Sequence, residues 1–78
     1  DIMSDLLAQK ARLEARYAEL NQRLQAIRQD YARGLEADSE ERAQQLANAE
    51  VLAEIMRVSE EDLVKVTQEL AKINQLLA

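Results

Sequence analysis

Arg33-Gly34-Leu35-Glu36-Ala37-Asp38-Ser39-Glu40-Glu41-Arg42-Ala43 holds the signals for one helix to end and another to begin. Gly34 is the only glycine in a chain without proline, so it alone can enter the left-handed backbone region cheaply. A helix arriving from the N-terminal side is expected to end there, with Gly34 as its C-terminal cap. Four residues on, Asp38 supplies a new start: its carboxylate accepts hydrogen bonds from the free N–H groups of a first turn. Glu41, three residues later, reaches back as in a capping box, and Glu40 with Glu41 faces the positive end of the helix dipole. A stop and a start this close make two helices antiparallel neighbours joined by ~3–5 residues. The predicted boundaries are an arm over about 4–34, a tip over about 35–39 and a second arm over about 40–77.

Outward from the tip, both flanks carry a seam. In the first arm Leu6, Leu13, Leu20 and Ile27 recur every seven residues, interleaved with Lys10, Tyr17, Leu24 and Tyr31. In the second, Ala49, Met56, Leu63, Leu70 and Leu77 form one register and Leu52, Ser59, Val66 and Ile73 the other. Such strict sevens imply a left-handed supercoil, because an undistorted helix would carry the seam away from its partner by ~20° per heptad. The predicted fold is all-α, an antiparallel two-helix coiled-coil hairpin. Pairing backwards from the turn sets Ile27 near Ala47, Leu20 near Ile55, Leu13 near Asp62 and Leu6 near Leu70. At ~1.5 Å per residue the arms span roughly 45–60 Å, a rod with one distinguished end.

A rival reading starts a third helix at Ser59-Glu60-Glu61-Asp62, where Ser59 could cap and three acids would suit a first turn. The heptad phase runs through Ser59 without slipping and neither Gly nor Pro marks a break, which favours one continuous second arm.

Composition narrows the function. The chain has 78 residues and a formal charge of −5, with no Cys and no His. A chain this short buries only ~60–65% of the surface it exposes when unfolded, too little for a deep enzymatic cleft. Disulfides, thiolate or imidazole metal sites, Cys nucleophiles and His-based triads are all excluded. Ser4, Ser39, Ser59 and Thr67 have no base to activate them, so an enzyme is not expected. The acidic balance disfavours duplex DNA and anionic membranes as partners. No stretch approaches the ~20 apolar residues of a membrane span, and no secretory signal is visible, so a soluble, cytoplasmic protein is expected. Asp1 and Ile2, standing before Met3-Ser4, read as a short cloning remnant ahead of an initiator Met.

Charge is unevenly shared between the arms. From Asp5 to Leu35 six bases face four acids, a net +2, whereas from Asp38 to Ala78 four bases face nine acids, a net −5. Arg12, Arg16 and Arg23 are expected to pair across the hairpin with Glu54, Glu61 or Asp62. At the tip Glu36, Asp38, Glu40 and Glu41 are four acids in six residues with no base before Arg42. Capping and the helix dipole explain part of that cluster. Its place at the end of a rod also suits a partner that offers basic groups or a bound divalent ion.

Read as a string, Asp38-Ser39-Glu40-Glu41-Arg42-Ala43 is D-x-x-E-R-A, followed by Gln44-Gln45-Leu46-Ala47-Asn48-Ala49-Glu50-Val51-Leu52. This resembles the coiled-coil domain of the DksA/TraR family of bacterial transcription factors, whose hairpin tip carries an acidic D-x-x-D-x-A pattern. The arms, with Leu13-Glu14-Ala15-Arg16-Tyr17-Ala18-Glu19-Leu20 leading and Gln68-Glu69-Leu70-Ala71-Lys72-Ile73-Asn74 trailing, read like those of shorter family members. The resemblance assigns Asp38, Glu41 and Ala43 to the tip motif, with Glu40 and Arg42 beside them. Glu41 stands where the best-known member has Asp, a charge kept but one methylene longer.

The resemblance implies a transcription regulator that binds bacterial RNA polymerase by inserting the hairpin into its secondary channel, without sequence-specific DNA contact. A homodimer is a further partner to consider. It also implies a four-cysteine zinc finger after the second arm. This chain has no cysteine, so no cofactor is expected in it, and zinc only where a downstream finger exists. Gre-type cleavage factors share the hairpin and a D-x-x-E tip, but the residues after Glu41 do not resemble theirs. From a different class, the alternative is a structural or assembly hairpin whose acidic end is merely a cap and whose arms form a four-helix bundle.

Overall fold

The structure, a computed structural model, describes residues 1–36, 43–44 and 48–78. Helix α1 runs Ile2–Glu36 and helix α2 runs Ala49–Leu77, and the two pack along one another in a body of 58 × 16 × 14 Å. No strand occurs among the described residues. The all-α helical hairpin expected from the seam is the fold observed.

The helices are antiparallel, since late residues of α1 meet early residues of α2. Tyr31 donates its hydroxyl to the Ala49 carbonyl at 2.8 Å, and Arg16 pairs with Asp62 at 3.6 Å. Long side chains lean toward the N-terminus of their own helix. Both contacts are staggered from the expected pairings: Arg16–Asp62 lies three residues from Leu13–Asp62 and Tyr31–Ala49 six from Ile27–Ala47, so the register expected from the turn is corrected by roughly one to two turns. Ala47 itself lies outside the described residues.

The core is the predicted seam. Leu20, Leu24 and Ile27 of α1 and Val66 and Ile73 of α2 are its buried apolar members. Every seam residue predicted for α2 is buried or half-buried, from Ala49 to Leu77. On α1 the exception is Tyr17, which is 43% exposed. Its ring body and wet hydroxyl suit the margin of the seam better than its centre.

α2 passes through Ser59 without a break, which removes the three-helix reading. Ser59 sits inside the seam, 1% exposed, and its Oγ has no hydrogen-bond partner. The helix survives because unbroken propagation and the apolar residues on either side outweigh one misplaced hydroxyl.

Two local expectations are corrected. α1 does not stop at Gly34: its backbone stays helical to Glu36, and no described glycine has a positive φ. A glycine costs only ~1 kcal/mol relative to Ala inside a helix, and extending a helix already formed needs no new nucleus. At the other end α1 begins at Ile2, two residues before the predicted start at 4, because Asp1 caps it. Asp1 Oδ1 accepts from the Ser4 N–H at 2.8 Å, and the Asp1 carbonyl accepts from the Asp5 N–H at 2.9 Å. The predicted tip at about 35–39 and the capping box of Asp38 and Glu41 lie largely outside the described residues.

Candidate functional site

In the chain the candidate site assigned from the sequence falls between the end of α1 at Glu36 and the start of α2 at Ala49. Of the residues assigned to it from the sequence, Asp38, Glu40, Glu41 and Arg42 lie outside the described residues. Ala43 is described: it is helical and exposed, as is Gln44 after it.

What holds this end together is legible in the residues that frame it. Tyr31 is half-buried on the α1 side of the seam and reaches across to the Ala49 carbonyl, which is the first residue of α2. That bond ties the last turns of α1 to the first turn of α2. Asn48 precedes α2 with φ −94° and ψ 0°, and its carbonyl accepts from the Leu52 N–H at 3.0 Å. Its side-chain amide donates to the Gln44 carbonyl at 3.3 Å, joining the described fragment at Ala43-Gln44 to α2. Arg33 pairs with Asp30 one turn back, so the basic residue in the last turn of α1 is held along the helix.

Electrostatics along the arms is mostly local. Arg57 is clamped between Glu54 and Glu61, with Nε 3.0 Å from Glu54 Oε2 and Nη1 2.5 Å from Glu61 Oε1. The hydrogen bonds from Arg57 hold the Glu54 carboxyl below its ordinary value, and the two carboxylates raise the guanidinium above its own. Of the expected cross-arm pairs, Arg16 to Asp62 forms. Arg23 instead pairs with Glu19 on its own helix, while Glu54 and Glu61 are taken by Arg57. Neighbours three or four residues apart are already held in reach by the helix, so pairing there fixes less side-chain freedom than pairing across arms.

The opposite end carries an open groove of about 430 Å³ lined by Gln9, Arg12, Leu13, Glu69, Lys72 and Ile73. It offers an apolar floor with charged rims and no paired acid and base of the kind that general acid–base catalysis needs. Among the described residues no group of three or more His, Cys, Asp or Glu could hold a metal ion. No helix among them is long and apolar enough to cross a membrane.

Two framing interactions were not anticipated from the sequence. The Arg57 clamp was readable as Glu54-x-x-Arg57-x-x-x-Glu61, which is i,i+3 and i,i+4 spacing. The Tyr31 bond had only a weak signal, an aromatic with a polar tip at the last seam position of the first arm.

One family model, DksA-like_N, described as DnaK suppressor protein-like, N-terminal domain, matches residues 9–75. No curated protein and no solved structure matches the chain.

Proposed function

The chain belongs to the family of DnaK suppressor protein-like N-terminal domains, and from that premise we propose that it is a transcription regulator acting on bacterial RNA polymerase. The hairpin enters the secondary channel tip first and acts in the cytoplasm by occupancy, not by catalysis. The family match over most of the chain is the observation that carries this reading. Shape supports it: a body 58 Å long and 14–16 Å across is slender enough for a channel that excludes globular domains.

In this reading Asp38 and Glu41 bring carboxylates to the polymerase's active centre, where they act on its basic groups, bound metal or mobile elements. Ala43 supplies the small side chain of the tip motif, and Glu40 and Arg42 flank it. The arms position the tip, and the Tyr31 clasp keeps that end from splaying.

The test is a transcription assay with the wild-type hairpin and with Asp38→Asn combined with Glu41→Gln. The double variant keeps the fold, checked by circular dichroism, and loses the transcriptional effect. An effect that survives the double variant rejects the tip assignment. Pull-down of polymerase, with and without a competitor occupying the secondary channel, tests the docking itself: the competitor abolishes capture if the channel is the site. Capture that the competitor leaves intact would move the site elsewhere.

A further inference from the structure

A hairpin whose only task is to present its tip does not account for the tip-side half of α2. There Leu52, Met56 and Ser59 face the seam, and Ser59 Oγ is buried with no partner. One residue earlier at each level, with the same spacing of four and three, stand Val51, Ile55 and Val58. All three are branched and apolar, yet they are 60%, 40% and 41% exposed. From Leu63 to Ile73 this second edge is missing, because the residues before Leu63, Val66, Leu70 and Ile73 are Asp62, Lys65, Glu69 and Lys72; it returns only at Leu76, 68% exposed, in the last turn. One half of α2 thus carries two apolar edges that can serve α1, and the edge in use contains the flaw. From Leu63 to Ile73 α2 carries a single edge. Sequences that fold to one state avoid such local competition.

We infer that the tip-side half of α2, Ala49 to Ser59, exchanges between two rotational settings against α1. In the second setting a turn of about 100° around its own axis, one residue's worth, seats Val51, Ile55 and Val58 in the seam and turns Ser59 out to water. The occupant of the exposed edge is therefore α1 itself. From Val58 to Leu63 the spacing becomes five instead of four, which a single widened π-type turn at Ser59 absorbs. The outward hydroxyl is solvated there, and the half beyond Leu63 keeps its packing. Burying Val51, Ile55 and Val58 offsets the exposure of Leu52 and Met56, while the turn also breaks the Tyr31 bond to the Ala49 carbonyl, so the second setting is the minor one. The exchange does not depend on polymerase being the partner.

The experiment is backbone-amide relaxation dispersion by NMR on the whole chain, with Ser59→Ala and Val58→Ser as variants. Exchange on the microsecond–millisecond scale is expected for Val51 to Ser59 and not for Val66 to Leu77. Ser59→Ala relieves the flaw of the first setting, and Val58→Ser spoils the second. Each lowers the minor population about fivefold or more. Val58 is exposed in the resting hairpin, so fraying or unfolding of this half would respond to Ser59→Ala but not to Val58→Ser. Flat profiles across 51–59, exchange of equal size in both halves of α2, or exchange that Val58→Ser leaves unchanged would each overturn the inference.

Discussion

Replacing Ser59 by Ala should make the hairpin more stable, although the change removes a polar atom and adds no contact. Ser59 is 1% exposed and its hydroxyl has no partner, so the folded state carries the desolvation cost of a hydroxyl without the compensating bond. That cost is ~1–3 kcal/mol for a neutral group, and alanine's better helix propensity adds a few tenths. The methyl of alanine is the smaller side chain, so no overpacking opposes the gain. For a domain of this size each kcal/mol moves the Tm by ~4–8 °C, so a gain near ~2 kcal/mol raises it by about 8–16 °C. The assay is thermal and urea unfolding followed by circular dichroism at several protein concentrations, since a two-helix body that associates would show a concentration-dependent Tm. Thr67→Ala is the internal control: Thr67 is exposed and its hydroxyl already bonds the Leu63 carbonyl at 2.8 Å, so it should change stability by less than ~0.5 kcal/mol. A Ser59→Ala hairpin with unchanged or lowered Tm would show that the hydroxyl finds a partner in solution, and the account of the seam would be wrong at its centre.

Tyr31→Phe deletes the bond to the Ala49 carbonyl and should cost ~0.5–1.5 kcal/mol, with faster hydrogen exchange confined to the first turns of α2; protection lost evenly along the chain would contradict a local clasp. Glu54 should titrate below its ordinary carboxyl value in the folded hairpin, and Arg57→Gln should return it there, as read by NMR titration of the side-chain carboxyl. Because the folded value is the depressed one, the clamp's contribution is fully present above the ordinary value and fades as pH falls through the lower folded value; a Glu54 titration that ignores Arg57→Gln refutes the clamp. A double-mutant cycle on Arg16 and Asp62 should return a coupling of ~0.2–1 kcal/mol at low ionic strength that vanishes in ~1 M salt, and a coupling indifferent to salt would mean the contact is not an ion pair.

The arms were legible in the sequence because burial in a two-helix body follows one rule, a seam with a period of seven, and nothing else competes for the interior. Leu20, Leu24, Ile27, Val66 and Ile73 were each placed by that rule. So was Ser59, whose chemistry argued for a helix start and whose phase argued for the seam; the phase decided, since one hydroxyl cannot outweigh the heptads on either side. Gly34 misled for the opposite reason. A single residue's preference signals a stop, while a long preformed helix carries its backbone on to Glu36 at the cost of about one unfavourable residue. Asp1 reads as a remnant in the sequence, yet it caps α1, because a helix start uses whatever acceptor stands one residue before it. Charge pairing was only half legible: composition said that the arms attract, but local spacing captured Arg23 and Arg57 before the cross-arm acids could. For the tip, Asp38, Glu40, Glu41 and Arg42 rest on the motif itself, while Ala43 is placed on a helical, exposed backbone.

Docking of the hairpin is read out by photo-crosslinking from a reactive residue at Gln44, exposed beside the tip motif, in the full chain mixed with bacterial RNA polymerase. Crosslinks are expected to the walls of the secondary channel near the active centre, lost when a channel competitor is added. Crosslinks to a second copy of the hairpin alone, or to a polymerase surface outside the channel, would contradict it.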